Sequence, residues 1–148
     1  MFNVTAPQSD PGKGVGGMSD IDCATVDVCY AVSSCCDDNC GAGGYGAYVH
    51  TTTDGGVTWK TSPLFYEHTM TKVVVIGPKE AFVGGGGVGV FDHGVIWHTA
   101  DGGDSWTNTT LPAAGGIFSM SVLPDGSLGY AVSVNGVTST SAIWKYTN

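Results

Sequence analysis

Five cysteines crowd into one stretch of the chain: Cys23, Cys29, Cys35, Cys36 and Cys40. Thiolates set as paired Cys-x2-Cys would form a zinc site. The segment Cys35-Cys36-Asp37-Asp38-Asn39-Cys40 lacks that spacing, so it reads as disulfide chemistry with one cysteine left odd. Asp37, Asp38 and Asn39 also offer hard oxygen ligands, which makes the same segment a candidate calcium loop. His50, His93 and His98 are the imidazoles open to a metal, and His68 precedes the first strand of the second unit. Glycoside hydrolysis needs two facing carboxylates. Glu67 and Glu80 are the only glutamates, and no spacing among the aspartates sets up such a pair. Gly84-Gly85-Gly86-Gly87-Val88-Gly89 lacks the Gly-Lys-Ser/Thr ending of a phosphate loop and reads as a wide, flexible connection. No catalytic residue and no cofactor is assigned, and the chain is expected not to be an enzyme.

Composition narrows the partners. The chain has 148 residues, a net charge of −8, no arginine and only five lysines. Nucleic-acid binding needs clustered cations against phosphate, and an anionic membrane surface needs them too. Neither partner is expected. No apolar run reaches the roughly 18 residues of a spanning helix. The clustered cysteines and two sequons, Asn3-Val4-Thr5 and Asn108-Thr109-Thr110, favour an oxidising, extracellular setting with glycans on Asn3 and Asn108. Met1–Thr5 is no signal peptide, so the numbering is expected to start on a mature or partial chain.

The elements that would position these residues come from a repeat. Thr52-Thr53-Asp54-Gly55-Gly56-Val57-Thr58-Trp59 matches Thr99-Ala100-Asp101-Gly102-Gly103-Asp104-Ser105-Trp106, 47 residues on. Such a period means stacked supersecondary units. Tyr48-Val49-His50, Val95-Ile96-Trp97 and Ala142-Ile143-Trp144 align at the same spacing. Ala31, Ala81 and Ala131 recur every 50 residues, and Met18, Met70 and Met120 open the three units. The 24 glycines, with short apolar runs between turn residues, suit strands and leave helix scarce.

Each unit reads as four strands, A to D. In the first they lie at about Gly17–Ala24, Val28–Ser33, Gly46–Thr52 and Thr58–Thr61. In the second they lie at about Thr69–Ile76, Ala81–Gly85, Gly94–Thr99 and Ser105–Thr110. The third has A, B and C at about Ile117–Leu123, Gly129–Val134 and Ser141–Tyr146, with no D strand before Asn148. Phe2–Pro7 repeats the pattern of Trp106–Pro112: an aromatic, a polar run, then proline. It is expected to supply the missing strand, to its own chain or to a neighbour. The organisation is therefore one domain over 1–148: an N-terminal strand and linker (1–16) and units at 17–63, 64–112 and 113–148. His50 and His98 fall one alignment position apart on adjacent C strands. They should face opposite ways across the pleat, as partly exposed sheet histidines.

The two turns resemble the Asp-box, or BNR repeat, of sialidase-like, sortilin-like and photosystem-assembly-type β-propellers. The motif residues here are Thr52, Asp54, Gly56 and Trp59, then Thr99, Asp101, Gly103 and Trp106. The resemblance implies an all-β fold of three four-stranded antiparallel propeller-like blades. It also implies boxes that build architecture, far from the ligand face. Asp54 and Asp101 would accept turn N–H bonds, and Trp59 and Trp106 would fold back as apolar anchors. Cys23-(x)5-Cys29-Tyr30-Ala31-Val32 resembles propeller units whose A and B strands are clipped by a disulfide, which implies a Cys23–Cys29 bridge. A sialidase needs an arginine triad on the substrate carboxylate, and lysine is no equal substitute. A chain without arginine is therefore a non-catalytic member. The expected function is an extracellular structural or binding module that self-assembles by strand complementation, into an oligomer or filament. The alternative is an oligomeric propeller lectin with sugar stacked on Tyr45, Tyr48 or Trp97 in clefts between blades.

Overall fold

The computed structural model describes residues 17–35, 46–63, 65–66, 68–87, 93–111, 115–135 and 137–147. Among them there is no helix, and so none that could cross a membrane. They form three antiparallel sheets in chain order. The first holds β1 (Met18–Cys23), β2 (Cys29–Cys35), β3 (Gly46–Thr52), β4 (Lys60–Thr61) and β5 (Phe65–Tyr66), with β4 and β5 both paired to β3. The second runs β6 (His68–Gly77), β7 (Glu80–Gly87), β8 (Gly94–Thr99) and β9 (Thr107–Leu111). The third runs β10 (Gly116–Val122), β11 (Leu128–Asn135) and β12 (Thr140–Thr147). Short strands follow from the local chemistry: β-branched and aromatic residues alternate between faces, and Gly, Asp and Ser clusters break the chain at each end. The blade-like sheets agree with the expected all-β fold. The N-terminal segment expected to complete the third sheet lies outside the described residues.

The sheets stack face to face, and the first strand of each covers the sheet before it. Tyr30, Val32 and Val49 of the first sheet meet Met70 and Val73 of β6 in one buried cluster. Phe82 of the second sheet meets Ile117 and Met120 of β10 in another. Side chains of successive strand residues point to opposite faces, so each sheet has one face toward its predecessor and one toward its successor.

The hydrogen-bonded ladders correct two parts of the repeat. Ala31 pairs with His50 and Ala131 with Trp144, but Ala81 pairs with Thr99, two residues beyond Trp97. The true counterparts are therefore Ala31, Val83 and Ala131, flanked by Tyr30, Phe82 and Tyr130. Likewise Met18 pairs with Ser33, Met70 with Gly85 and Ile117 with Ser133, whereas Met120 pairs with Ala131. Ile117, not Met120, opens the third unit, and Met120 stands with Ile21 and Val73. Loops and bulges of unequal length shift one strand against another, so a constant spacing along the chain does not hold in space.

The glycine run is also corrected. Gly84–Gly87 belong to β7, and Gly84, Gly85 and Gly86 are buried. A Cβ on Gly84 would lie 2.7 Å from Met120 Sδ and 2.8 Å from Ile117 Cγ2. A Cβ on Gly85 would lie 1.7 Å from the Thr69 carbonyl oxygen. Glycine is needed there for close approach, not for flexibility.

Candidate functional site

The paired turns are closed by their own side chains. Thr52 Oγ1 donates to Asp54 Oδ1 at 2.8 Å and accepts the Gly56 N–H at 2.9 Å. Asp54 accepts the Thr58 N–H at 2.9 Å and the Thr58 hydroxyl at 2.6 Å. Thr99, Asp101, Gly103 and Ser105 repeat this set at 2.8, 2.9, 2.9 and 2.5 Å. Gly56 and Gly103 both sit at φ 86°, where a side chain would strain the backbone. The hydroxyl and N–H donors of Thr58 pull the Asp54 carboxyl down to about 2, and those of Ser105 pull Asp101 lower still. Both oxygens of each carboxylate are thus engaged inside its own turn.

Trp106 folds back onto the first sheet and meets Phe65 edge to face at 6.1 Å. Phe65 also meets Trp97 at 4.8 Å. Phe65 was missed by the sequence reading; the Phe65-Tyr66 pair soon after β4 was the available signal. Cys23 and Cys29 form a disulfide across the β1–β2 hairpin, with Cα atoms 4.0 Å apart. Such a bridge fits an oxidising environment. Cys36, Cys40, Tyr45, Asn3 and the calcium candidate Asp37, Asp38 and Asn39 lie outside the described residues, as does the side chain of Cys35. Asn108 is exposed on β9.

The histidines do not converge. His50 is buried rather than partly exposed, at 1%. Its Nε2 lies 2.9 Å from Ser33 Oγ and its Nδ1 lies 2.9 Å from Thr61 Oγ1. Burial pushes its pKa below the ordinary value, so the ring is neutral and bridges two hydroxyls. The Ser33–His50 contact has the form of a nucleophile–base pair, but Ser33 is 0% exposed and no substrate reaches it. His98 lies on the opposite face of its sheet, stacked on Phe82 at 4.4 Å and 3.1 Å from Glu80 Oε1. His68 and His93 meet edge to face at 6.0 Å. Among the described residues no three His, Cys, Asp or Glu side chains gather as a cation cage.

The lectin candidates are relocated. Tyr48 is buried at 6%, on the face of β3 that it shares with His50 and opposite to Val49 and the first cluster. Trp97 packs into the first cluster beside Phe65. Burial closes off Tyr48, and the contact with Phe65 occupies Trp97. A cleft of about 240 Å³ opens instead between the second and third sheets. Phe82, His98 and Thr109 form one wall, and Met120, Trp144 and Tyr146 the other. Tyr146 meets Phe82 edge to face at 5.3 Å, and Trp144 Nε1 donates to Ser133 Oγ at 2.8 Å. By the ladder counterparts, this space corresponds to the one that Phe65 and Trp106 fill between the first two sheets. It can take an aromatic side chain or the face of a sugar ring, and it holds no activated nucleophile.

No family model matches the chain. No curated protein matches it. A solved structure of YCF48 bound to D1 peptide, a β-propeller protein, aligns with a TM-score of 0.61 at 20% identity. The alignment covers 99% of this chain and 44% of that one, so the chain spans less than half the length of the structure it matches. A likeness at this identity shows the fold alone: the chain has a propeller-like all-β fold.

Proposed function

We propose that this protein is a non-catalytic, extracellular structural module that self-assembles by strand complementation. The observation that carries this reading is the outer edge of β12. Strands β3 and β8 each have an outer partner, β4 and β9, whereas among the described residues β12 pairs only with β11. The cleft lies beside that edge, where an aromatic at the start of a fourth strand would enter as Trp106 does between the first two sheets. Phe2–Pro7 carries such an aromatic followed by a strand pattern. Main-chain pairing along an open edge supplies affinity, and a pocket for a side chain supplies register. YCF48, whose structure is similar, is bound to a peptide. On this reading the two Thr-x-Asp-Gly-Gly turns are Asp-boxes in an architectural role, and 1–148 acts as one repeat domain.

Native mass spectrometry of the chain with and without Phe2–Pro7 tests this. Deletion should reduce the assembly to single chains. An unchanged oligomer size would defeat strand donation.

The second reading, a carbohydrate-binding oligomer, is favoured by the aromatic walls of the cleft, with Trp144 and Tyr146 replacing Tyr48 and Trp97. Glycan binding that disappears in Trp144→Ala would establish it. Binding to no glycan would remove it.

A further inference from the structure

The hairpin of β1 and β2 carries a covalent bond that its counterparts do without. Cys23 and Cys29 stand directly opposite each other in the ladder and are bridged. The same ladder position holds Val75 opposite Ala81 in the second sheet and Val122 opposite Gly129 in the third. Turn length does not account for the bridge. The first turn, Ala24–Val28, closes where the Ala24 N–H meets the Val28 carbonyl at 3.0 Å. The third, Leu123–Ser127, is as long and closes where the Leu123 N–H meets the Leu128 carbonyl at 2.8 Å, with no cross-link. A bridge between strands that are already paired closes a short loop, which removes less entropy from the unfolded chain than a long one. The sheet therefore forms without this disulfide, and reducing it leaves the fold standing.

The bridge is also open to attack. Cys23 is exposed and Cys29 half-buried, so an incoming thiolate reaches Cys23 Sγ first. Carboxylates surround it. Asp22 Oδ1 accepts the Cys23 N–H at 2.9 Å, Asp27 lies inside the turn, and the whole chain carries a net charge of −8. Like charge repels an anionic thiol and admits a cationic one. The hairpin end is tied to its neighbours. The Asp27 carbonyl accepts the Gly55 N–H of the first Asp turn at 3.0 Å, and Asp22 Oδ2 accepts the Val75 N–H of β6 at 2.8 Å. In the second unit the Lys79 carbonyl holds the Gly102 N–H in the same way, at 2.9 Å, from a hairpin without a bridge.

We infer that Cys23–Cys29 is a site of reversible thiol–disulfide exchange that favours small cationic thiols, and that its state sets how firmly the first hairpin holds the first Asp turn. An external thiolate attacks Cys23 Sγ. A new S–S bond forms there as the Cys23–Cys29 bond breaks, and the electron pair leaves on Cys29, whose thiolate takes up a proton. A second external thiolate attacks the external sulfur of the mixed disulfide. That step frees the Cys23 thiolate and a small-molecule disulfide, so two external thiols are oxidised as the bridge is reduced. The same small-molecule disulfide drives the steps backwards and restores the bridge. This site is independent of the self-assembly reading and uses neither β12 nor Phe2–Pro7.

The test adds cationic cysteamine or anionic glutathione, at equal thiolate concentration, to the folded chain and quenches with iodoacetamide. Peptide mapping should find cysteamine on Cys23 and the alkyl group on Cys29. This adduct should form about three- to tenfold faster than the glutathione adduct. In the reduced chain the Gly55 amide should exchange hydrogen about tenfold faster while Gly102 is unchanged, with circular dichroism unaltered. The double variant Cys23→Ser/Cys29→Ser, which leaves Cys35, Cys36 and Cys40 in place, should show the fast Gly55 exchange with no thiol added. A bridge that reacts only once urea has unfolded the chain, or a reduced chain that unfolds, would make the disulfide a structural staple and overturn the exchange site. An adduct on Cys29, or equal rates for the two thiols, would overturn the entry at Cys23 and the charge preference. Equal Gly55 exchange in the bridged and reduced chains would overturn the link to the Asp turn.

Discussion

The contact between the first and second sheets and the contact between the second and third use the same positions and end differently. In the first contact, Phe65, Trp97 and Trp106 interlock edge to face and fill the outer part of the wedge. Polar groups stitch its inner part: Asp20 Oδ2 accepts the Val73 N–H at 2.9 Å, and Asp22 Oδ2 accepts the Val75 N–H at 2.8 Å. Ser34 Oγ adds a reciprocal pair with the Met70 backbone, both bonds at 3.1 Å. In the second contact the inner part is closer, because Gly84 lets Ile117 and Met120 approach the strand itself. The outer part stays open as the cleft. The difference teaches that a wedge between twisted sheets must be filled from its outer strand. Where a fourth strand begins with tryptophan the wedge closes, and where, among the described residues, no such strand pairs with β12 it remains open.

The largest test of that contrast is truncation of the two tryptophans. Trp106→Ala should cost about 3 kcal/mol, because it hollows a filled contact. Trp144→Ala, which borders space already open, should cost about 1 kcal/mol. Urea unfolding compares them, and equal losses would mean the two contacts are packed alike.

A smaller effect is expected at the inner edge. Gly84→Ala places a methyl against Met120 and Ile117 and should cost about 1–3 kcal/mol by overpacking. The flexible Met120 thioether sets where in that range the value falls. A neutral result, read by thermal melting, would show that the second and third sheets are not held close there.

The smallest effect is expected at the Asp turn of the first sheet. The Asp54 pKa is about 2 in the folded chain against an ordinary 3.8. Between these values the unfolded state binds more protons, so stability is full above about pH 4 and falls as the pH drops toward 2. Asp54→Asn should lower the melting temperature near neutral pH and flatten its decline between pH 4 and 2. A variant that keeps the parent's acid dependence would show that Asp54 does not hold its turn through ionised oxygens.

Much of the first contact was legible in the chain. The Thr-x-Asp-Gly-Gly turns close through bonds spanning two to four residues, so their geometry follows from local sequence. Strands β3 and β8, which run directly into those turns, lie where the repeat placed them. The Cys23–Cys29 bridge spans a single hairpin. Less of the second contact could be read. Four successive glycines look like a loop until Met120 and Ile117 are set against them. Trp97 looks like a ligand aromatic until Phe65 packs against it, and Tyr48 does until it is found buried.

The sequence by itself determined the antiparallel sheets, the turns and the apolar alternation of each strand, because these depend on neighbours a few residues apart and on a pleat of period two. The tertiary structure decided which repeat positions are true counterparts, which faces are covered and where a cleft remains. Those depend on bulges that slip one strand against the next and on contacts roughly fifty residues apart, such as Thr71 with Ile117 or Asp20 with Val73. A periodic pattern carries no record of such slips, and a buried or bare face is fixed only by what another sheet lays on it.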